Sequence, residues 1–335
     1  MKSVCYVKPG VAYVEMPEPQ IVNADDVKIK IAYSSICGSD LHIMSGIFDD
    51  YLPAAYPLGH EASGVITELG PGATVKGLKV GDRVTYYYNH YCGQCYYCRN
   101  GQEQFCTNRT LNMTSMSQYL VVRESQVFKL PENVSLKMGC LVEPVSVALR
   151  SIDRSNIRPG SFVAVSGAGG MGLLHIQLAK MKGASRIVAM DPIPEKRALA
   201  LQCGADYAFD PLTENVVEKA LELTDGRGFD CVIEASGVRG TTKNCVDIAG
   251  CGATIIYFAV YGHFDLPIDH DTLFNKELTI TAAYQSPYMF PRAIELIRKL
   301  NLDPFLSVVF PAEACEEAFA AHRKGLQGKV LMEFQ

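Results

Sequence analysis

Four cysteines fall within fifteen residues, Cys92, Cys95, Cys98 and Cys106 in the run YCGQCYYCRNGQEQFC. The spacing C-x2-C-x2-C-x7-C lets four thiolates converge on one tetrahedral zinc ion at roughly 2.3 Å each. Two disulfides are the rival reading, but nothing else in the chain looks secreted, which favours a closed structural zinc site. Such a site holds a lobe together and leaves the chemistry to other residues. Cys37 in SSICGSDLH, and His60 with Glu61 in YPLGHEASG, are donor types of a catalytic zinc, which keeps one position open for substrate. Taken singly, a lone Cys is ordinarily a core thiol and a His-Glu pair a satisfied turn. Glu143 in LVEPVSVALR reads equally as a carboxylate at a helix start beside a proline. Their joint presence with a structural zinc motif and a dinucleotide motif gives them weight.

That second motif is Gly167-Ala168-Gly169-Gly170-Met171-Gly172, which matches G-x-G-x-x-G. Alone it is a weak signal, but it directly follows an apolar strand, SFVAVS, and opens a helix. The first glycine permits the tight turn, the second lets backbone approach a pyrophosphate, and the third lets helix pack on strand. Asp191 ends the next strand, 19 residues after Gly172, where a carboxylate accepts hydrogen bonds from ribose hydroxyls. A carboxylate there repels a 2′-phosphate, so NAD is favoured over NADP, a preference that the following Lys196 could weaken.

The elements that must position these groups fall into two textures. Residues 1–140 are β-rich, with alternating runs such as Val27–Tyr33, Ala62–Leu69 and Ser117–Val122 separated by Gly, Pro and Asp turns. From Ser161 strands and helices alternate, and the strands are continuously apolar, which predicts a parallel sheet covered on both faces. The closing run GKVLMEF reads as a strand returning to the first region. A length of 335 residues favours two domains. The net charge of −5, without a basic run, argues against a nucleic-acid partner. No run approaches the ~18 apolar residues of a membrane span, and the N-terminal MKSVCYVKPG is no signal peptide. Twelve cysteines in such a chain point to the reducing cytoplasm; Cys5, Cys140, Cys203, Cys231, Cys245, Cys251 and Cys315 read as inert core thiols.

From ICGSDLH through GHEASGVITELG, GDRV, the four-cysteine run, LVEPVSVALR and SGAGGMG, the chain resembles the zinc-dependent medium-chain alcohol dehydrogenases, and within them the sorbitol (polyol) dehydrogenase branch. The resemblance implies an α/β protein. A β-rich GroES-like catalytic domain with a structural-zinc lobe would occupy 1–146, completed by 285–335. A doubly wound parallel-sheet Rossmann domain binding NAD would occupy 147–284. It implies that Cys37, His60 and Glu61 bind a catalytic zinc, with Glu143 ligating the metal or holding its water, giving two zinc ions per chain. Zinc would act as a Lewis acid on a secondary alcohol, and hydride would pass to the nicotinamide, giving a ketone. Ser39 would be the relay hydroxyl and His42 the imidazole that passes the proton to solvent; His42 reads otherwise as a surface histidine. Phe258, Ala259, Val260 and the segment Ala282–Tyr284 would lie beside the nicotinamide, with Met171 under the cofactor. Asp40 would either anchor His60 or cap a helix.

The chain also departs from the branch. Where polyol dehydrogenases carry an Arg-Tyr pair for substrate hydroxyls, it has Ala283 and Tyr284. Losing a guanidinium removes up to five donors, which opens the reading to cyclic polyols, aminocyclitols or steroids. The segment between Cys106 and Ser117 is short for the branch. Phe48, Tyr51, Tyr88, Phe290 and Tyr284 could supply an aromatic wall, and Phe48 and Tyr284 are the residues assigned to substrate. A threonine-type dehydrogenase shares the CG[ST]D-x-H and GHE patterns and stands as the alternative enzyme; a non-catalytic zinc and NAD-binding sensor is the alternative outside enzymes. The apolar strands ATIIYFAV and ELTITAA near one sheet edge predict a homodimer or homotetramer.

Overall fold

A computed structural model of the chain describes every residue except 47–49, 75 and 326–327. The first region contains strands β1 (Lys2–Val7), β2 (Gly10–Glu15), β3 (Asp26–Ser35), β4 (Tyr56–Pro57), β5 (Glu61–Leu69), β6 (Arg83–Tyr86), β7 (Asn89–His90), β8 (Thr110–Leu111), β9 (Tyr119–Arg123) and β10 (Val127–Lys129). Short helices α1 (Gly38–Ile43), α2 (Tyr96–Arg99) and α3 (Leu136–Gly139) punctuate them, and α4 (Val142–Asp153) follows. The alternating region then runs β11 (Phe162–Ser166), α5 (Gly170–Lys182), β12 (Arg186–Met190), α6 (Pro194–Gln202), β13 (Tyr207–Phe209), α7 (Val216–Leu223), β14 (Phe229–Glu234), α8 (Thr241–Ile248), β15 (Ala249–Tyr257), α9 (His270–Asn275) and β16 (Thr279–Thr281). It is followed by α10 (Phe290–Ile297), α11 (Asp303–Leu306), β17 (Val309–Pro311), α12 (Cys315–Lys324) and β18 (Leu331–Glu333).

Two compact units result. One comprises Met1–Ser146, Pro287–Gly325 and Lys329–Gln335; the other comprises Val147–Ser286 and takes in Gly328. The boundary passes through α4, so Glu143 belongs to the first unit.

In the first unit β3 is the central strand. Its alternating Val27, Ile29 and Ile31 are buried, as period-two patterning demands. One edge of β3 pairs antiparallel with β5; the other serves β9 along Asp26–Lys30 and β18 along Tyr33–Ser35. The final strand thus returns to the first region, as its sequence predicts. The apolar sides of these strands pack with Phe319 and Ala318 of α12 into one core. Close strand approach explains Gly64, where a Cβ would meet the Lys30 carbonyl oxygen at 2.1 Å.

The second unit carries a six-stranded parallel sheet in the order β13-β12-β11-β14-β15-β16. Val163, Val165, Ile187, Ala189, Ile233 and Ile255 are buried, matching strands covered on both faces. Cys251, expected in the core, is exposed. The ladder between β14 and β15 shifts register beside it and Gly252 takes φ +71, which turns this part of β15 out to solvent. Among the described residues no helix is long and apolar enough to cross a membrane.

Candidate functional site

The four-cysteine run folds as a small lobe around α2. Sγ–Sγ separations are 3.5 Å for Cys95–Cys98 and Cys92–Cys106, and 4.0 Å for Cys92–Cys98. Four sulfurs at ~2.3 Å from a tetrahedral centre lie about 3.8 Å apart, so the cradle has the size zinc requires. All four thiols are free, which removes the disulfide reading. Backbone N–H groups of Cys92 and Cys95 donate to Cys106 and Cys92 sulfurs, each at 3.4 Å. Cys95 is lowered to about 6 by backbone N–H groups aimed at its sulfur, those of Cys98 and Thr107 first. Burial instead pushes Cys98 up to about 12, so the backbone donors favour the thiolate form at Cys92 and Cys95.

Cys37, His60 and Glu61 also come together, with one ligand atom from each within 4.8 Å of the others. Cys37 follows β3 as the N-cap residue of α1, and His60 and Glu61 lie at the start of β5, the strand paired with β3. Asp40 joins the two segments. Its Oδ2 accepts from the Cys37 N–H at 2.8 Å and its Oδ1 from the Gly59 N–H at 3.1 Å. The fully buried Asp40 therefore ties together the segments that carry the three candidate ligands, capping α1, and binds these amides rather than the His60 ring. Gly59 is required beside the histidine: it takes φ +93, and a Cβ would strike Met116 at 2.5 Å.

The His60 ring fits a metal ligand. Its Nδ1 is buried without a hydrogen-bond partner among the described residues. Burial would lower its pKa, but Cys37, then Glu143 and Asp40, raise it to about 10. Donors that together draw a positive charge into a buried pocket suit a divalent cation. Glu143, on the first turn of α4, is pushed up to about 7 by burial, against the opposing charge of His60. It lies outside the tight three-residue set, although its charge acts on His60.

Two neighbours carried no signal in the sequence. Lys329, just before β18, places its Nζ at 2.5 and 2.7 Å from the two Glu61 carboxylate oxygens and 3.2 Å from the Ile36 carbonyl oxygen. Ser35 donates to the same carboxylate. Glu61 is therefore tied down from behind, while Tyr88 lies edge-on to His60 with ring centroids 5.1 Å apart. Of the other aromatic residues considered for the wall, Phe290 is buried core against Tyr87 and Phe128, and Tyr51 is exposed. Phe48 lies outside the described residues. Ser39 Oγ is buried without a partner among the described residues, and His42 is exposed on α1.

In the second unit, Gly167 follows β11 at φ +94, and a Cβ there would meet the Ser236 backbone at 2.6 Å. At Gly172 a Cβ would meet the Gly167 carbonyl oxygen at 1.9 Å, and at Gly170 that of Gly328 at 2.0 Å. A Cβ at Gly169, the N-cap residue of α5, would meet nothing within 4 Å. The turn is closed by its neighbours on three glycines and open on the fourth, at a helix N-terminus, which fits an incoming pyrophosphate. Asp191 follows β12, and its carboxylate accepts from Ala168 N–H at 2.9 Å and Ile193 N–H at 3.0 Å. It is thereby held beside the glycine turn. Lys196 lies on the first turn of α6, and Arg197 donates to the Asp191 and Pro192 carbonyls. Met171 is half-buried on α5. Phe258 and Ala259 are half-buried and Val260 exposed after β15; Ala282 and Tyr284 are exposed after β16.

The alcohol dehydrogenase GroES-like domain matches residues 23–132, and the zinc-binding dehydrogenase domain matches residues 170–299. The chain is 32% identical to D-arabitol-phosphate dehydrogenase of Enterococcus avium, over 99% of this chain and 97% of that one. It is 31% identical to L-threonine 3-dehydrogenase of Pyrococcus horikoshii, over 99% and 98% respectively. Galactitol-1-phosphate dehydrogenase of Escherichia coli superposes with a TM-score of 0.85 at 31% identity, each chain covered in full. With both donor clusters and the glycine turn in place, the chain belongs to the zinc-dependent medium-chain alcohol dehydrogenase family, in its polyol dehydrogenase branch, and is an oxidoreductase working with zinc and a nicotinamide dinucleotide.

Proposed function

We propose that this enzyme interconverts a secondary alcohol and its ketone, with NAD preferred over NADP and two zinc ions per chain. The observation that carries this reading is the convergence of half-buried Cys37 with buried His60 and Glu61, one ligand atom from each within 4.8 Å of the others. Cys37, His60 and a carboxylate, Glu61 or Glu143, hold one zinc ion; Cys92, Cys95, Cys98 and Cys106 hold the other. When bound, the first zinc supplies a Lewis acid for the alcohol oxygen, and the nicotinamide supplies the hydride acceptor. Ser39 Oγ, buried and without a partner among the described residues, receives the alcohol proton, and exposed His42 delivers it to solvent. Gly167, Gly169, Gly170 and Gly172 seat the pyrophosphate, Met171 packs under the cofactor, and Asp191 takes the ribose, with Lys196 beside it. Phe258, Ala259, Val260, Ala282 and Tyr284 line the nicotinamide end. Tyr284 also faces substrate, and Tyr88 adds an aromatic wall beside His60.

Ala283 in place of an arginine leaves a linear polyol short of donors, so a less flexible or more apolar secondary alcohol is preferred. The 31% identity to an L-threonine 3-dehydrogenase supports a second reading, oxidation of a β-hydroxy-α-amino acid. One alcohol panel followed by NADH absorbance, with zinc measured in parallel, separates these readings. Efficient sorbitol oxidation would overturn the inference from Ala283, and activity confined to L-threonine would select the second reading. The exposed edge strand β16 supports a homodimer or homotetramer, which a monomer in sedimentation would refute. The free cysteines fit a reducing cytoplasm.

A further inference from the structure

The strand order of the parallel sheet reverses between β11 and β14, and a dinucleotide lies across the carboxyl ends of the strands at such a point. Asp191 follows β12 on one side. The loops after β14 and β15 are left for the other half of the cofactor, which carries the nicotinamide. They adjoin the glycine turn: a Cβ at Gly167 would meet Ser236 at 2.6 Å, and one at Gly237 would meet the Ala259 methyl at 3.7 Å.

The loop after β15 is not held by apolar burial at its tip, where Val260 is 76% exposed. The neighbouring Tyr261 ring packs partly against the apolar core, and polar groups fix the loop's direction. Glu234, the fully buried last residue of β14, accepts at Oε1 from the Ser236 N–H at 3.0 Å, the Thr241 hydroxyl at 2.9 Å and the Ser236 hydroxyl. Its Oε2 accepts from the Tyr261 phenol. Burial, then the bond to Glu234, pushes the phenol's pKa well above its ordinary value, so it remains a donor. From solvent, Arg239 Nη2 donates to the Tyr261 carbonyl at 3.0 Å and the His263 carbonyl at 3.3 Å, and the guanidinium lies 5.3 Å over the Phe264 ring. The N–H groups of Phe258 and Ala259 both point to the Glu234 carbonyl, at 2.9 and 3.3 Å. Burying a carboxylate is costly, and packing alone does not require one. Directed bonds to one buried carboxyl group fix the loop's position in a way that apolar contact cannot.

We propose that Glu234, Tyr261 and Arg239 are positioning residues for the nicotinamide, clamping the loop 258–264 into a fixed floor beside the ring. The proposal rests on the dinucleotide reading of the glycine turn. NADH and ADP-ribose, which lacks the nicotinamide, are titrated separately into the wild-type holoenzyme and into Tyr261→Phe, with binding followed by calorimetry. Removing the hydroxyl while keeping the ring should weaken NADH roughly 3- to 10-fold and leave ADP-ribose within about 2-fold. Arg239→Ala, altered on the exposed side, should give the same split. Equal weakening of both ligands, or of neither, in both variants overturns the clamp. Failure of wild type to bind either ligand overturns the dinucleotide reading and the clamp with it.

Discussion

In the four-cysteine lobe every donor comes from fifteen consecutive residues, whereas the Cys37 cluster draws on the residues after β3 and the start of β5, with Lys329 added from the approach to β18. The lobe is local, and its sulfurs take N–H bonds from their own loop. The Cys37 cluster is enclosed, and its donors are oriented by Asp40 and Lys329. A closed site can be written in spacing alone. A site that must leave a position open has to be held from behind by groups that do not bind the metal.

The largest expected effects set the two clusters against each other. Cys98→Ser should lose the lobe's zinc and lower the thermal midpoint by on the order of 10 °C, because metal affinity there is folding energy. Cys37→Ser should leave the fold within a few degrees and reduce turnover on the order of a thousandfold. Thermal scans, zinc content and steady-state rates on both variants decide it. If Cys98→Ser keeps its midpoint and its zinc, the lobe is not a closed structural site.

Next comes Lys329→Ala, which strands the buried Glu61 carboxylate. Burial alone would lower the lysine's pKa, but Glu61 above all raises it, so the lysine is held in its charged form. Losing one partner of such a pair should cost about 3 kcal/mol in urea unfolding. A loss under about 1 kcal/mol would mean that the cluster does not depend on its distant brace.

A smaller effect concerns pH. His175, wholly buried on α5, has its pKa lowered by burial to about 4, against its Nδ1–H bond to the Met171 carbonyl at 2.7 Å. Between about pH 6.5 and 4 the unfolded chain binds this proton and the folded chain does not, so stability contributed by His175 is lost as pH falls through that window. Urea midpoints measured across it should fall more steeply for wild type than for His175→Gln, by close to one proton. Equal slopes would show that the ring takes up its proton while folded.

Smallest is cofactor choice. Asp191→Ala should narrow the preference for NAD over NADP by roughly tenfold in kcat/KM. Wild-type protein that used both equally would show that this carboxylate does not select.

What was legible in the sequence follows the same division. The cysteine spacing and the strand–glycine–helix register are short-range patterns that mark the four-cysteine lobe and the dinucleotide turn by themselves, whereas Cys37, His60 and Glu61 gain weight only from that company and from the family resemblance. Lys329 could not, because it sits in an ordinary apolar strand run and meets Glu61 across 268 residues. Arg197 was likewise lost among surface charges of a helix. Tyr88 was one aromatic among several until β6 and the turn after it set its ring against His60. Cys251 misled because apolar neighbours in sequence do not reveal a register shift.

The brace on Glu61 also sets an order of assembly during synthesis. At 5–20 residues per second, the 268 residues separating Glu61 from Lys329 take roughly 13–54 s to emerge from the ribosome. The last strand of the parallel sheet, β16, ends at Thr281, so that sheet emerges before Lys329 does. The strand pair that carries Cys37 and Glu61 must meanwhile wait for a partner that has not yet been made. For the nascent chain, the proposed catalytic cluster is among the last parts of the protein to be completed.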